Sequence, residues 1–259
     1  QGTGHDDIVV ESTRDGFPVL DGVPNFLRGV RALFDYRDFL QRNDDSPPKI
    51  DAPDPVVGTG EAAALQLLAD YGLPVIPVTE IASESDIVVE RFPVVLKTAA
   101  PGVHHKSDVG GVVLNIKTTE QLHAAYADMA ARLGPEALIA PMAQDGVEMM
   151  LGCRQDPQFG PIVLIGFGGV YAETLHDVVF AMPPFAAAHA RRCVDRLQLR
   201  DMLDGQRGNP AADIDAFCDA AARFSVMVDK LGHELQEVDV NPIIVHETGC
   251  TIVDALVIN

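Results

Sequence analysis

No run in this 259-residue chain approaches 18 consecutive apolar residues, so nothing in it reads as a helix that spans a membrane. No G-x-x-x-x-G-K-[ST] loop occurs, which excludes the P-loop way of holding phosphate. No G-x-G-x-x-G follows an early strand, so the glycine fingerprint of a doubly wound coenzyme-binding domain is missing. The four cysteines, Cys153, Cys193, Cys218 and Cys250, form no C-x-x-C pair. That spacing disfavours a zinc site or a disulfide framework and fits buried, reduced thiols in a cytoplasmic protein. There is no signal-peptide pattern, and the first residue is Gln1 rather than Met, as expected of a fragment or trimmed chain. Basic residues are also scarce, 19 against 38 acidic, for a net charge of −19. Such a surface repels nucleic acid and anionic lipid. An acidic chain that binds a polyanion needs local cations, so its five lysines draw attention.

Two of those lysines, Lys97 and Lys106, fall in one stretch, residues 93–116. Val94-Val95-Leu96 reads as a buried strand carrying Lys97 out at its end. A loop with Pro101, Gly102, His104, His105, Lys106 and the pair Gly110-Gly111 follows, and residues 112–116 read as the return strand. Glycines let backbone approach an anion closely and lysine supplies a point charge, so this hairpin is a candidate lid over polyphosphate. An ordinary hairpin loop with a solvated lysine has the same composition. From its place at a strand end, Lys97 is expected to be removable without unfolding the chain.

Along the rest of the chain, strands are expected at 8–10 and 16–20, and a helix at 23–40 from the spacing of Phe26, Leu27, Val30, Leu33 and Phe34. Residues 43–57 are a linker by their Asp and Pro content. Residues 1–42 then read as the end of another domain, and 58–259 as a domain of their own. In the latter, helices are expected at 61–71 with Thr59 as N-cap, 119–133 with Thr119 as N-cap, 186–197 and 213–231. Strands are expected at 73–78, 137–140, 146–152, 162–167, 234–245 and 251–257, with Glu173 in the segment after Gly168-Gly169. This order of hairpins and helices gives an α+β or α/β class.

The closing strands hold a second group. Glu237, Asp239 and Asn241 alternate, so at period two they share a face, with Val238 and Val240 on the other. Asp254 is expected on the paired strand, between apolar neighbours. Oxygen ligands from two adjacent strands suit a hard cation such as Mg²⁺ shared with phosphate, although an exposed acidic edge has the same pattern.

Together, F-P-V-V-L-K, H-K-S-D-V-G-G-V, G-V-E-M-M-L-G, D-P-Q-F-G-P, G-F-G-G-V and E-V-D-V-N-P resemble the ATP-grasp, or beta, portion of nucleoside-diphosphate-forming acyl-CoA synthetases, relatives of succinyl-CoA synthetase. The likeness covers roughly residues 58–258. It implies an α+β ATP-grasp fold of two α/β subdomains. Residues 16–42 resemble the end of a flavodoxin-like ligase domain, which makes the N-terminal part a strand-helix remnant of that domain. The resemblance further implies binding of ATP/ADP with Mg²⁺, and CoA held by a missing CoA-binding half, an alpha subunit or the rest of the same polypeptide. Homo- or hetero-oligomeric assembly follows from the same likeness, with no nucleic-acid or membrane partner.

Carried over by motif, Lys97 contacts ATP phosphates, Gly110 and Gly111 form the glycine loop, and Glu148 helps hold the nucleoside. Asn241 and Asp254, with Asp239 close behind, hold the metal. His105 matches the phosphoryl-relay histidine and Glu173 a glutamate near the phosphates; a structural loop histidine and an ordinary strand residue are the plainer alternatives. Three departures stand out. Pro141 replaces a common glutamate, leaving adenine recognition near Met142 to backbone groups. His104 replaces an apolar residue, and residues 79–92 are short and lack an expected helix. Two other readings share these residues, a carboxylate–amine or carboxylate–thiol ligase and a regulatory lobe that binds nucleotide without turnover.

Overall fold

The computed structural model describes residues 7–17, 22–41, 46–103, 106–169, 177–205, 210–232 and 235–258. The chain divides into two compact units, residues 1–44 and 45–259. The first contains two helices, α1 (Asp7–Arg14) and α2 (Val23–Leu40). The strand expected at 8–10 is therefore helical. Asp7 in its first turn and Arg14 in its last suit the helix dipole. Gly16, at φ +85°, closes α1, with the Phe17 amide donating to Ser12 O and that of Gly16 to Thr13 O. Most of the strand expected at 16–20 lies outside the described residues. Among the described residues this unit therefore holds helix α1 ahead of the helix expected at 23–40.

The second unit is built on two sheets. The smaller is antiparallel, in the order β1 (Thr79–Ile81), β4 (Ala137–Pro141), β2 (Val94–Thr98), β3 (Val112–Ile116), with helix α4 (Thr119–Leu133) packed on it. Leu96, Ile116, Leu122, Tyr126, Met129 and Ile139 form its core. Thr118, not Thr119, caps α4 and accepts from the Gln121 amide at 3.3 Å. The strand expected at 73–78 is reduced to one parallel bridge, Val75 to Ile252, because Pro74 and Pro77 have no N–H to donate. The missing helix in 79–92 is replaced by β1 and a single 3-10 turn, Glu84–Asp86.

The larger sheet runs β10 (Leu256–Ile258), β8 (Glu237–His246), β5 (Val147–Asp156), β6 (Gly160–Phe167), β7 (Val178–Ala181), with β9 (Gly249–Ile252) also paired to β8. Helices α3 (Glu61–Asp70), α5 (Ala187–Val194) and α6 (Ile214–Leu231) pack on it. Its core includes Leu65, Leu68, Met149, Leu151, Phe217, Phe224 and Val240. Gly60, at φ +88°, occupies the N-cap of α3 where Thr59 was expected. The closing strand is broken: β9 pairs with the C-terminal half of β8 and β10 with its N-terminal half. Asp254 lies in the break at 253–255, not in a paired strand. Among the described residues no helix is long and apolar enough to cross a membrane.

Candidate functional site

Lys97 is held on both sides of its strand, opposite Val112 of β3 and Leu138 of β4. It does not end the strand in solvent as expected but is buried, 7% exposed. A buried ammonium needs partners, and this one donates to Glu61 Oε1 at 2.7 Å and to the Val253 carbonyl at 2.5 Å. Asp254 Oδ2 stands 3.9 Å away. Lys106 meets the same two carboxylates, 2.9 Å from Glu61 Oε2 and 3.1 Å from Asp254 Oδ1. The four side chains form a neutral cluster of two ammoniums and two carboxylates. Burial alone lowers the basicity of Lys106, but the combined pull of Asp254 and Glu61 leaves its pKa above the ordinary lysine value.

The glycine pair shapes the hairpin base. The Gly111 amide donates to Lys106 O at 2.7 Å, and its carbonyl accepts from the Thr98 amide at 2.8 Å. A Cβ on Gly111 would come 2.6 Å from Thr98 Cγ2, so only glycine fits this approach. Gly110, at φ +64°, turns the chain there, and its carbonyl accepts from Arg132.

A second grouping sits where β6 ends. The Gly168 amide donates to Glu148 O at 2.8 Å and that of Gly169 to Asn241 Oδ1 at 3.2 Å. The Glu148 carboxylate lies against the bare Cα of Gly169, where an added Cβ would come 1.6 Å from Oε2. Asn241 points to the same face of β8 as Asp239, while Val238 and Val240 are buried behind it. The Val253 amide donates to Pro242 O at 3.2 Å, which ties the break carrying Asp254 to the residue after Asn241. The two groupings are thus joined through the end of the chain.

The structure therefore brings Lys97 to Asp254, with Gly110 and Gly111 at the base of the same hairpin. It brings Glu148 to Asn241, and places Asp239 opposite Leu256 of β10. Met142 is partly exposed, and its amide already donates to Pro93 O at 3.1 Å, so the sheet takes that backbone donor. His104, His105 and Glu173 lie outside the described residues. Sequence reasoning missed Glu61, which opens helix α3 and reads as an acidic residue favoured by the helix dipole. Its only visible signal is the glycine-bracketed turn before it: a Cβ on Gly58 would meet that of Ala63 at 2.6 Å.

Among the described residues no three His, Cys, Asp or Glu side chains gather as a metal site. Asn241 Oδ1 accepts from the Gly169 amide and both Asp254 oxygens face Lys106; an amide oxygen and a carboxylate are donors of the kind Mg²⁺ takes. That ion takes one or two protein oxygens and fills its remaining positions with phosphate and water.

Residues 58–258 match the ATP-grasp domain family. The beta subunit of the ADP-forming acetate–CoA ligase II of Pyrococcus furiosus is 36% identical over 213 residues, 76% of this chain and 90% of that protein. The ADP-forming acetate–CoA ligase I of Archaeoglobus fulgidus is 38% identical over 74% of this chain but only 30% of its own length. Acetyl-coenzyme A synthetase 1 of Ca. Korarchaeum cryptofilum, solved with coenzyme A and Ca-AMPCP, superposes with a TM-score of 0.73 at 32% identity, covering 88% of this chain and 98% of that one. A second structure of that enzyme, with coenzyme A and Mg-AMPPCP and its phosphohistidine segment pointing towards the nucleotide site, gives 0.67 at 35% identity, over 76% of this chain and 91% of that one. This chain belongs to the ATP-grasp family. Within it, its relatives include ADP-forming acetate–CoA ligases, a trans-feruloyl-CoA synthase and an ADP-forming 4-hydroxybutyrate–CoA ligase, and it spans nearly all of a beta subunit but about a third of the longer relatives.

Proposed function

We propose that this chain is the ATP-binding lobe of an ADP-forming acyl-CoA synthetase, which converts acid, CoA and ATP to acyl-CoA, ADP and phosphate. The observation that carries the reading is the meeting of Lys97, Lys106 and Asp254, from opposite ends of the domain, at one partly accessible cluster. Two ammoniums at one point suit a polyphosphate, and charge-assisted contacts there are stronger than neutral ones. Glu148 and the glycine turn at 168–169 form the adjoining wall for the nucleoside. Asn241 and Asp254 would hold Mg²⁺, with Asp239 beside them; the ion, when bound, supplies neutralisation of phosphate charge.

In this reading an imidazole nitrogen of His105 attacks the γ-phosphorus of ATP. The P–N bond forms as the bond to the β-phosphate oxygen breaks, and ADP leaves. The phosphoryl group then passes to the carboxylate of the acid, and the acyl group of that acyl phosphate passes to the thiol of CoA, with phosphate as the leaving group. The role of His105 is supported by the H-K-S-D-V-G-G motif and by the phosphohistidine segment of the Korarchaeum relative. Glu173 is assigned beside the phosphates on the same likeness. The CoA-binding half is a separate subunit or another part of a longer polypeptide. Residues 1–42 are the end of its ligase-type domain and 43–57 the linker.

The test is phosphoryl transfer. The chain, combined with a CoA-binding half, is incubated with γ-labelled MgATP. Acid-labile label on the chain, lost in His105→Ala and kept in His104→Ala, supports the reading. Full synthetase activity in His105→Ala overturns the relay.

A further inference from the structure

Glu61 has no part in the reading above, yet it is the most enclosed member of the cluster. Its side chain is 3% exposed, against 8% for Lys97, 12% for Lys106 and 29% for Asp254. Each carboxylate oxygen takes a different lysine, Oε1 at 2.7 Å from Lys97 and Oε2 at 2.9 Å from Lys106. The backbone under it is fixed, because α3 is anchored in the larger core through Ala64, Leu65, Leu67 and Leu68. Lys97 belongs to the smaller sheet, whose core is separate. Asp254 is the more solvent-facing counter-ion and lies where backbone pairing is interrupted.

We infer that Glu61 is a positioning residue: it bridges Lys97 and Lys106 into a two-ammonium clamp for phosphate, and Asp254 is the displaceable carboxylate that fills the clamp until nucleotide arrives. The inference deepens the nucleotide reading and rests on it. Glu61 anchors from behind and Asp254 covers the front. Phosphate oxygens then replace the Asp254 carboxylate on the ammoniums, which frees Asp254 for the cation.

Charge and geometry predict opposite results at Glu61. A carboxylate beside two lysines weakens anion binding by charge alone, so its neutralisation would tighten binding. If the bridge positions the lysines, neutralisation loosens them and binding weakens. MgADP is titrated by calorimetry into the full chain, its Glu61→Gln and Glu61→Asp variants, and each of these combined with Lys106→Met. Glu61→Gln should weaken binding about tenfold, the loss expected for a charge-assisted hydrogen bond. Glu61→Asp, which keeps the charge but is too short to reach both ammoniums, should lose a similar amount. In the Lys106→Met background both effects should fall below about twofold, because the bridge has only one lysine left to hold. Equal losses in both backgrounds, tighter binding by Glu61→Gln, or unchanged binding by Glu61→Asp overturns the inference. If one Glu61 variant does not fold, the other carries the comparison; if neither folds, the residue is a structural anchor and the inference fails. A wild-type chain that gives no heat with MgADP overturns the nucleotide reading itself.

Discussion

The ammonium of Lys106 lies 3.1 Å from Oδ1 and 3.2 Å from Oδ2 of Asp254, a residue 148 positions further along the chain. This contact joins the β2–β3 hairpin to the break between β9 and β10. In the sequence the lysine hairpin and the acidic closing strands are two separate constellations. In the fold they meet at Asp254, with Glu61 behind it.

Lys97→Ala should destabilise the chain. The substitution leaves Glu61 buried with one cation fewer, and breaking a buried pair costs about 3 kcal/mol or more. Lys106 remains on Glu61, which keeps the cost near that lower figure. A urea-unfolding curve with a midpoint equal to wild type would show that the pair is solvated. Removal of Lys97 without unfolding, as expected from its place at a strand end, would then still carry a stability cost, because its side chain is buried.

Gly169→Ala should harm both stability and nucleotide binding. Its φ of +58° costs an L-residue about 1–2 kcal/mol. The new methyl also collides with the Glu148 carboxylate, which must swing away from the turn. Loss of a charged hydrogen-bonding group corresponds to about a tenfold rise in Kd. A Kd within twofold of wild type in calorimetry would remove Glu148 from the nucleotide wall.

All four cysteines are buried and free. Burial pushes the thiol of Cys153 up to about 11 and those of Cys218 and Cys250 up to about 12. The unfolded chain therefore ionises first as pH rises. Stability from these thiols is full below about pH 9, the unfolded value, and is lost as pH rises through the folded values. At pH 8 an aromatic disulfide reagent should react with none of the four in the native chain and with all four in guanidinium. Stoichiometric native labelling within minutes would contradict the burial.

Much of this architecture is legible in the residues. Apolar runs bounded by Pro and Gly mark β2, β3, β4 and β6, and period two along residues 237–241 places Asp239 and Asn241 on one face of β8. Local pattern cannot distinguish a short apolar run in a helix from one in a strand, so residues 8–10 read as strand although they lie in α1. Nor does it show that β8 recruits two strands in turn, which takes Asp254 out of the ladder and leaves it beside Lys106. Glu61 was hidden for a related reason. An acidic residue in a first helical turn has a sufficient local explanation, and its two lysines come from a hairpin later in the chain, Lys97 in β2 and Lys106 in the loop after it.

The central claim is that the cluster around Lys97 and Asp254 is where Mg-nucleotide binds. The most direct measurement is a crystal structure of the chain with Mn²⁺ and AMPPCP, with the metal located by its anomalous signal. The account predicts a manganese peak coordinated by Asn241 and Asp254, phosphate oxygens on Lys97 and Lys106, and the Lys106–Asp254 contact opened. A nucleotide bound elsewhere, or bound here with Lys106 still closed on Asp254 and no metal at Asn241, would contradict it.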